Sequence, residues 1–209
     1  MIAIIDYQMG NLRSVQKAFL KMGARAIITS SKSEIARAKK VVLPGVGAFG
    51  DGMKELKKLG LIQIIKDSIC DDKPFFGICL GMQLLFDKSE EAPGVKGLGI
   101  LKGDVKKFKL PSTYKIPHMG WNQIKVKIQK AKGKSKECFL LKYIPNNSYV
   151  YFVHSYYCDP EDKKIIAATT DYGIDFASMI CKDNIFGCQF HPEKSQDIGL
   201  NIVKNFVRL

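Results

Sequence analysis

Cys79 stands in "GICLG", flanked by Gly77 and Gly81. This is the G-x-[nucleophile]-x-G spacing of a sharp bend between a strand and a helix. Glycines two residues before and after the thiol fit such a bend, because the strand and helix backbones approach closely there and a Cβ would collide. A thiol at this place lies at a helix N-terminus, where unpaired amides and the helix dipole favour a thiolate. The next amide, that of Leu80, can donate to a developing oxyanion. The alternative is a buried structural cysteine at a β-to-α turn, since cysteine is often a core residue.

A nucleophilic cysteine needs a base, and the chain offers three histidines, His118, His154 and His191. His191 follows the apolar run "FGCQF" and opens "HPEKS", so it lies at the end of a strand. Pro192 biases His191 toward extended backbone, and side chains alternate along such a backbone, so Glu193 can point to the same side. A carboxylate there fixes the imidazole tautomer and stabilises the imidazolium. His118 and His154 are left as structural or supporting groups.

The third piece is "LPGVGAFGDGM", a glycine-rich stretch at 43–53 that follows a strand. It lacks the Walker lysine, which argues against a phosphate loop. Loops after parallel strands emerge at the carboxyl edge of the sheet, and a glycine-rich one can bring bare amides to a ligand.

The elements that must hold these pieces alternate in the first half of the chain. Apolar runs at 2–6, 25–29, 39–45 and 74–78 read as buried strands, and amphipathic stretches at 11–23, 32–38, 53–59 and 62–70 as helices. Apolar strands separated by helices imply a mostly parallel, flavodoxin-like α/β sheet covered on both faces. After Glu90 the texture changes to alternating or β-rich runs such as "DVKKFKL", "NQIKVKI", "YVYFVHSYY" and "KIIAATT", which predict added antiparallel strands. A hairpin is expected around Asp183 and Asn184, and a closing helix over 197–209. With no repeat and no flexible linker, residues 1–209 read as one domain.

Composition bounds the function classes. The chain has 209 residues, 46% hydrophobic and 25% charged, as a globular protein does. No export signal or run long enough to span a membrane is read, which predicts a cytoplasmic protein with no membrane partner. Six cysteines without a CxxC pair support neither a zinc site nor a disulfide framework. The net charge is +13, yet among 33 basic residues only Arg13, Arg25, Arg37 and Arg208 are arginines. The lysines crowd residues 102–142, against Asp104 and Glu137 alone, with neither arginine forks nor interleaved aromatics at a recognisable spacing. That reads as a solvated face rather than a nucleic-acid surface.

Taken together, "DYQMGNLRSV", "PGVGAFGDGM", "GICLGMQLLF", "EAPGVKGLGI", "PHMGWN", "YFVHSYY" and "FGCQFHPEKS" resemble the class I (triad) glutamine amidotransferases. "PHMGWN" and "HPEKS" narrow the resemblance to the glutaminase subunits of imidazole glycerol phosphate synthase. The resemblance implies that Cys79 attacks the side-chain amide of glutamine, His191 carries the proton and Glu193 orients His191. It implies an oxyanion site from Leu80, Val46 and Gly47, and substrate contacts from Gly45, Gln83, Ser155 and Tyr156. Gln83 is also one helical turn from Cys79, on the same face. No metal or organic cofactor is implied. The implied partner is a (β/α)8-barrel cyclase, joined as a heterodimer through Asn11, Trp121, Asn122 and Lys194, which receives the ammonia for histidine biosynthesis. Trp121, the single tryptophan, suits an interface anchor.

Gln8 departs from the pattern, because that place usually holds glycine. The rival enzyme reading is a paralogous amidotransferase that feeds ammonia to another synthase, for example one forming an amidino sugar. A binding or regulatory module with a vestigial triad is the reading from a different class.

Overall fold

The computed structural model describes residues 1–127, 129–131, 134–136 and 138–209. The chain opens with β1 (Ile2–Ile5), α1 (Leu12–Lys21), β2 (Ala26–Thr29), α2 (Lys32–Arg37), β3 (Lys40–Leu43), α3 (Phe49–Lys58), α4 (Ile62–Cys70), β4 (Phe75–Ile78) and α5 (Leu80–Gln83). It continues through β5 (Lys88–Ser89), β6 (Gly103–Lys107), β7 (His118–Val126), β8 (Gln129–Ala131), β9 (Lys134–Lys136), β10 (Ser148–His154) and β11 (Tyr156–Pro160). β12 (Ile166–Asp171), β13 (Asp175–Lys182), β14 (Ile185–Cys188) and α6 (Gln196–Arg208) complete it.

One sheet runs β10-β7-β12-β13-β14-β4-β3-β1-β2, with β11, β6 and β5 branching from β13. The β2-β1-β3-β4-β14 portion is parallel, and every pairing from β14 out to β10 is antiparallel. The expected α/β architecture, a mostly parallel core with added antiparallel strands, is therefore present. The β13–β14 hairpin turns at Asp183 and Asn184, as read from the sequence. Its second strand, however, also joins the parallel core beside β4.

The apolar runs predict this layering because their two sides face different helices. Ile2, Ile4, Val42 and Phe76 belong to one core cluster together with α1 and α6 residues such as Phe19 and Phe206. Ala3, Ile5, Val41, Leu43 and Phe75 belong to the opposite cluster, with Ile35, Leu56 and Ile65 from α2, α3 and α4. Phe206 lies 5.3 Å from Phe76 and 6.0 Å from Phe19, ring centre to ring centre, so α6 is anchored on the sheet by an aromatic contact. Truncating such a side chain to alanine costs about 3–5 kcal/mol. Asn11 accepts from the Ser14 amide and caps α1, as the sequence "NLRS" suggests.

Two local details refine the reading of the sequence. The helix after Cys79 is a single turn, although "GMQLLF" has helical apolar spacing. Leu80, Met82, Leu84, Leu85 and Phe86 are all buried, so the apolar spacing does not mark one buried face of a longer amphipathic helix. "YVYFVHSYY" is two strands broken at Ser155, not one. In the lysine-dense region, Lys102, Lys106, Lys109 and Lys125 pair with Asp87, Asp159, Glu90 and Asp175. Ile128, Lys132, Gly133 and Glu137, which belong to the strand and lysine-rich stretches read there, lie outside the described residues. No helix among the described residues is long and apolar enough to cross a membrane.

Candidate active site

The three segments singled out in the sequence follow β3, β4 and β14, which are neighbours in the parallel part of the sheet. Their carboxyl ends therefore bring the "PGVG" loop, Cys79 and His191 to one edge. At the centre is the bend. Cys79 has φ 53° and ψ −110°, a conformation that an L-residue adopts only under constraint. Its amide donates to the Cys188 carbonyl at 2.7 Å, which ties the bend to β14. A Cβ on Gly77 would lie 2.7 Å from the Gly81 carbonyl oxygen, and one on Gly81 only 1.7 Å from the Leu43 carbonyl oxygen. Both glycines are required for the reason read from the sequence, but the tighter contact is with β3, not with the strand that leads into the bend.

Because α5 has one turn, the dipole of a long helix is not available to the thiol. Local groups surround it instead. Gln189 Nε2 donates to Cys79 Sγ at 3.6 Å. His191 Nδ1 lies 2.8 Å from Glu193 Oε1, both side chains only 3% exposed. Glu193 reaches this position from a 3-10 turn, Pro192–Lys194, rather than along the extended backbone expected. His191 Nε2 is buried without a hydrogen-bond partner among the described residues. Burial opposes the charged ring, but Cys79 and Glu193 outweigh it and raise the His191 pKa to about 10. The ring is therefore protonated at neutral pH.

Cys79, Leu80, Val46, Gly47, Gln83, Ser155 and Tyr156 all line a cavity of about 250 Å³. That is several times the ~30 Å³ share of one water and suits a ligand of amino-acid size. Of the six cysteines only Cys79 lines it. Burial pushes the Cys158 and Cys188 thiols well above the ordinary range. The Leu80 amide is directed at the Gly45 carbonyl oxygen, 3.4 Å away. Gly45, expected as a substrate contact, is not among the lining residues, and an added Cβ there would be 2.0 Å from the Tyr7 hydroxyl oxygen.

The glutamine amidotransferase class-I family matches residues 3–209. Imidazole glycerol phosphate synthase subunit HisH of Methanocaldococcus jannaschii is 51% identical over 209 residues, all of both chains. The HisH subunit of Caldanaerobacter subterraneus subsp. tengcongensis is 52% identical over 206 residues, 99% of this chain and 97% of that one. The chain belongs to the HisH branch of the class-I glutamine amidotransferases. Solved structures agree on the fold. A crystal structure of a glutamine amidotransferase superposes with a TM-score of 0.75 at 16% identity, covering 100% of each chain. A putative GMP synthase subunit from Thermoplasma acidophilum gives 0.70 at 19% identity, covering 99% of this chain and 92% of that one.

In this amidotransferase the residues expected at a partner face are not all alike. Trp121 is 46% exposed and packs edge-on against Tyr151. Lys194 lies over the same ring, its Nζ 5.9 Å from the Tyr151 ring centre, so Trp121 and Lys194 share one patch. Asn122 alternates to the opposite face of β7, where its side chain bonds His118 and the Asp171 carbonyl. Asn11 caps α1 beside Gly10, whose position abuts Gly45 and Val46.

Sequence reasoning missed Glu91, which lines the cavity, and Gln189, which touches the thiol, while His154, read as a structural or supporting group, lines the cavity as well. Gln189 stands two residues before His191, just past the end of β14, and that nearness was a usable signal. Glu91 carries no comparable local signal. Its Oε2 accepts from the Phe49 amide at 2.8 Å, across forty-two positions of sequence.

Proposed function

We propose that this amidotransferase is the glutaminase subunit of an imidazole glycerol phosphate synthase, with Cys79, His191 and Glu193 as its catalytic groups. The Cys79 sulfur attacks the side-chain amide carbon of glutamine, and the C=O electrons move onto oxygen. The Leu80 amide and the Val46–Gly47 peptide receive that oxyanion. His191, protonated on both nitrogens, gives its Nε2 proton to the departing nitrogen, which leaves as ammonia. Water then attacks the glutamyl thioester while His191 takes the proton, which releases glutamate and the sulfur. Glu193 holds Nδ1 throughout and compensates the ring charge.

Gln83, Ser155 and Tyr156 surround the substrate. Glu91 brings a carboxylate suited to an α-ammonium group. The ammonia passes to a barrel-shaped cyclase that docks as a heterodimer on the face carrying Asn11, Trp121 and Lys194, with Asn122 beneath it. Direct transfer matters because ammonia in neutral water is protonated and no longer nucleophilic.

The observation that carries this reading is that Cys79, which lines the cavity, interacts with the His191–Glu193 pair that follows the adjacent strand. A glutaminase assay with and without a histidine-pathway cyclase tests it. Glutamate release that rises with the cyclase and vanishes in Cys79→Ala supports the reading; release that persists in Cys79→Ala refutes it. Rescue of a histidine auxotroph separates it from a paralogue serving another synthase.

A further inference from the structure

Gln189 is completely buried just beyond β14, and its side chain bridges two site residues. Its Oε1 accepts from Gln83 Nε2 at 3.0 Å, and its Nε2 donates to Cys79 Sγ at 3.6 Å. A primary amide turned by half a rotation has nearly the same shape, with nitrogen and oxygen exchanged. Something must therefore decide which end faces the sulfur.

The Tyr156 carbonyl oxygen decides it, because a carbonyl has no hydrogen to give. Two side chains touch this oxygen: Gln83 Nε2 at 3.2 Å and His154 Nδ1 at 2.8 Å. Each must donate. Gln83 therefore presents its NH2 to Gln189 as well, so the atom of Gln189 that meets it is the oxygen. Its own NH2 is left for Cys79.

The same carbonyl orders the other arm. With the proton on Nδ1, neutral His154 offers an Nε2 lone pair, 3.0 Å from His118 Nδ1, which must carry the hydrogen. His118 Nε2 is then an acceptor, and Asn122 Nδ2 supplies a donor at 3.3 Å. Burial lowers the pKa values of His118 and His154 to about 4 and about 3, which keeps both rings neutral at neutral pH. No link in the network needs a second assignment.

We propose that Gln189 is a positioning residue for the Cys79 nucleophile, presenting an amide N–H to its sulfur in an orientation fixed through Gln83 by the Tyr156 carbonyl. The proposal rests on Cys79 being the nucleophile. A hydrogen bond to an ionised acceptor is stronger than one to a neutral acceptor, so the contact strengthens as the sulfur becomes the attacking thiolate and holds it at the bend, facing the cavity.

The test uses two variants of the full chain. Gln189→Met keeps length and bulk without the N–H, and Gln189→Glu keeps shape while replacing the donor by an acceptor. Iodoacetamide labelling is followed by mass spectrometry, and the Cys79 rate is divided by that of Cys70, an exposed thiol at the end of α4 that serves as internal reference. Glutamine kinetics are measured with the cyclase bound. The proposal expects the labelling ratio and kcat to fall roughly tenfold or more, the scale of one hydrogen bond to a charged group, with KM within about twofold.

A folded variant whose labelling ratio and kcat stay near wild type overturns it, even where the melting temperature drops. A measurement independent of those variants uses the assigned side-chain amide resonance of Gln189, which must shift in Cys79→Ala; an unmoved resonance overturns the proposal as well. Failure of the underlying catalytic reading looks different, because Cys79→Ala would then retain glutaminase activity whatever Gln189 does.

Discussion

The Leu80 amide and the Gly45 carbonyl oxygen face each other at 3.4 Å, so the donor best placed for an oxyanion is already turned toward an internal acceptor. The contact is at the long end for a hydrogen bond and therefore weak. Losing one oxyanion donor typically costs about 10²–10³ in kcat. The isolated chain is expected to hydrolyse glutamine slower than the cyclase-bound chain by at least that order. Steady-state glutamate release measures it, and equal rates in the two states would contradict the coupling.

The histidines give opposite pH dependences. His191, raised to about 10, binds its proton more tightly when folded. Its stabilisation is complete below the unfolded value of about 6.5 and is lost as pH rises toward 10. His118 and His154, lowered to about 4 and about 3, stabilise the fold above about 6.5, and that contribution is lost as pH falls toward those values. Urea midpoints across pH 4 to 10 should therefore peak near neutrality. Glu193→Gln should flatten the alkaline limb and lower kcat on the order of 10²-fold, the lower range for acid–base groups. An alkaline limb unchanged in Glu193→Gln would remove the pairing from the account.

Strain at Cys79 separates stability from activity. A non-glycine residue at φ 53° and ψ −110° carries about 1–3 kcal/mol of backbone strain. Cys79→Gly relieves it and gives back about 0.5–1 kcal/mol in unfolded-state entropy. The expected net gain of about 1 kcal/mol corresponds to roughly 2–4 °C in Tm for a chain of this size. Cys79→Ala retains the Cβ and should gain less, while both variants lose hydrolysis. A Cys79→Gly protein that melts below Cys79→Ala contradicts the strain.

Gln8 is the position where relatives of this type were expected to carry glycine, and its φ is 66°. Its amide donates to Asp6 Oδ1 at 3.0 Å, a bond that glycine would keep. Left-handed backbone costs an ordinary residue about 1–2 kcal/mol, so Gln8→Gly should raise the unfolding free energy by up to about 1 kcal/mol. Differential scanning calorimetry decides it: a lower Tm in Gln8→Gly would mean that the glutamine side chain contributes more than its backbone costs.

The sequence made the thiol, its two glycines and the His191–Glu193 pair legible, since each depends on residue types within a few positions of one another. It also made the parallel core legible, through apolar runs with no polar side. Strand order was not legible. That β14 enters the core next to β4, bringing His191 to the cysteine, is set by pairing between segments more than a hundred residues apart. The length of α5 was not legible, because periodicity reports which residues avoid water and not where a helix stops.

What the chain determined on its own was the chemistry available: a thiol at a bend only glycines permit, and an imidazole with a carboxylate two residues away. Tertiary structure decided which groups that chemistry meets. Hydrogen bonds have direction, and the direction around Cys79 is set by a carbonyl of Tyr156, two amides and two neutral imidazoles drawn from separate strands and a single helical turn. Their order in space, not in sequence, leaves an N–H facing the sulfur.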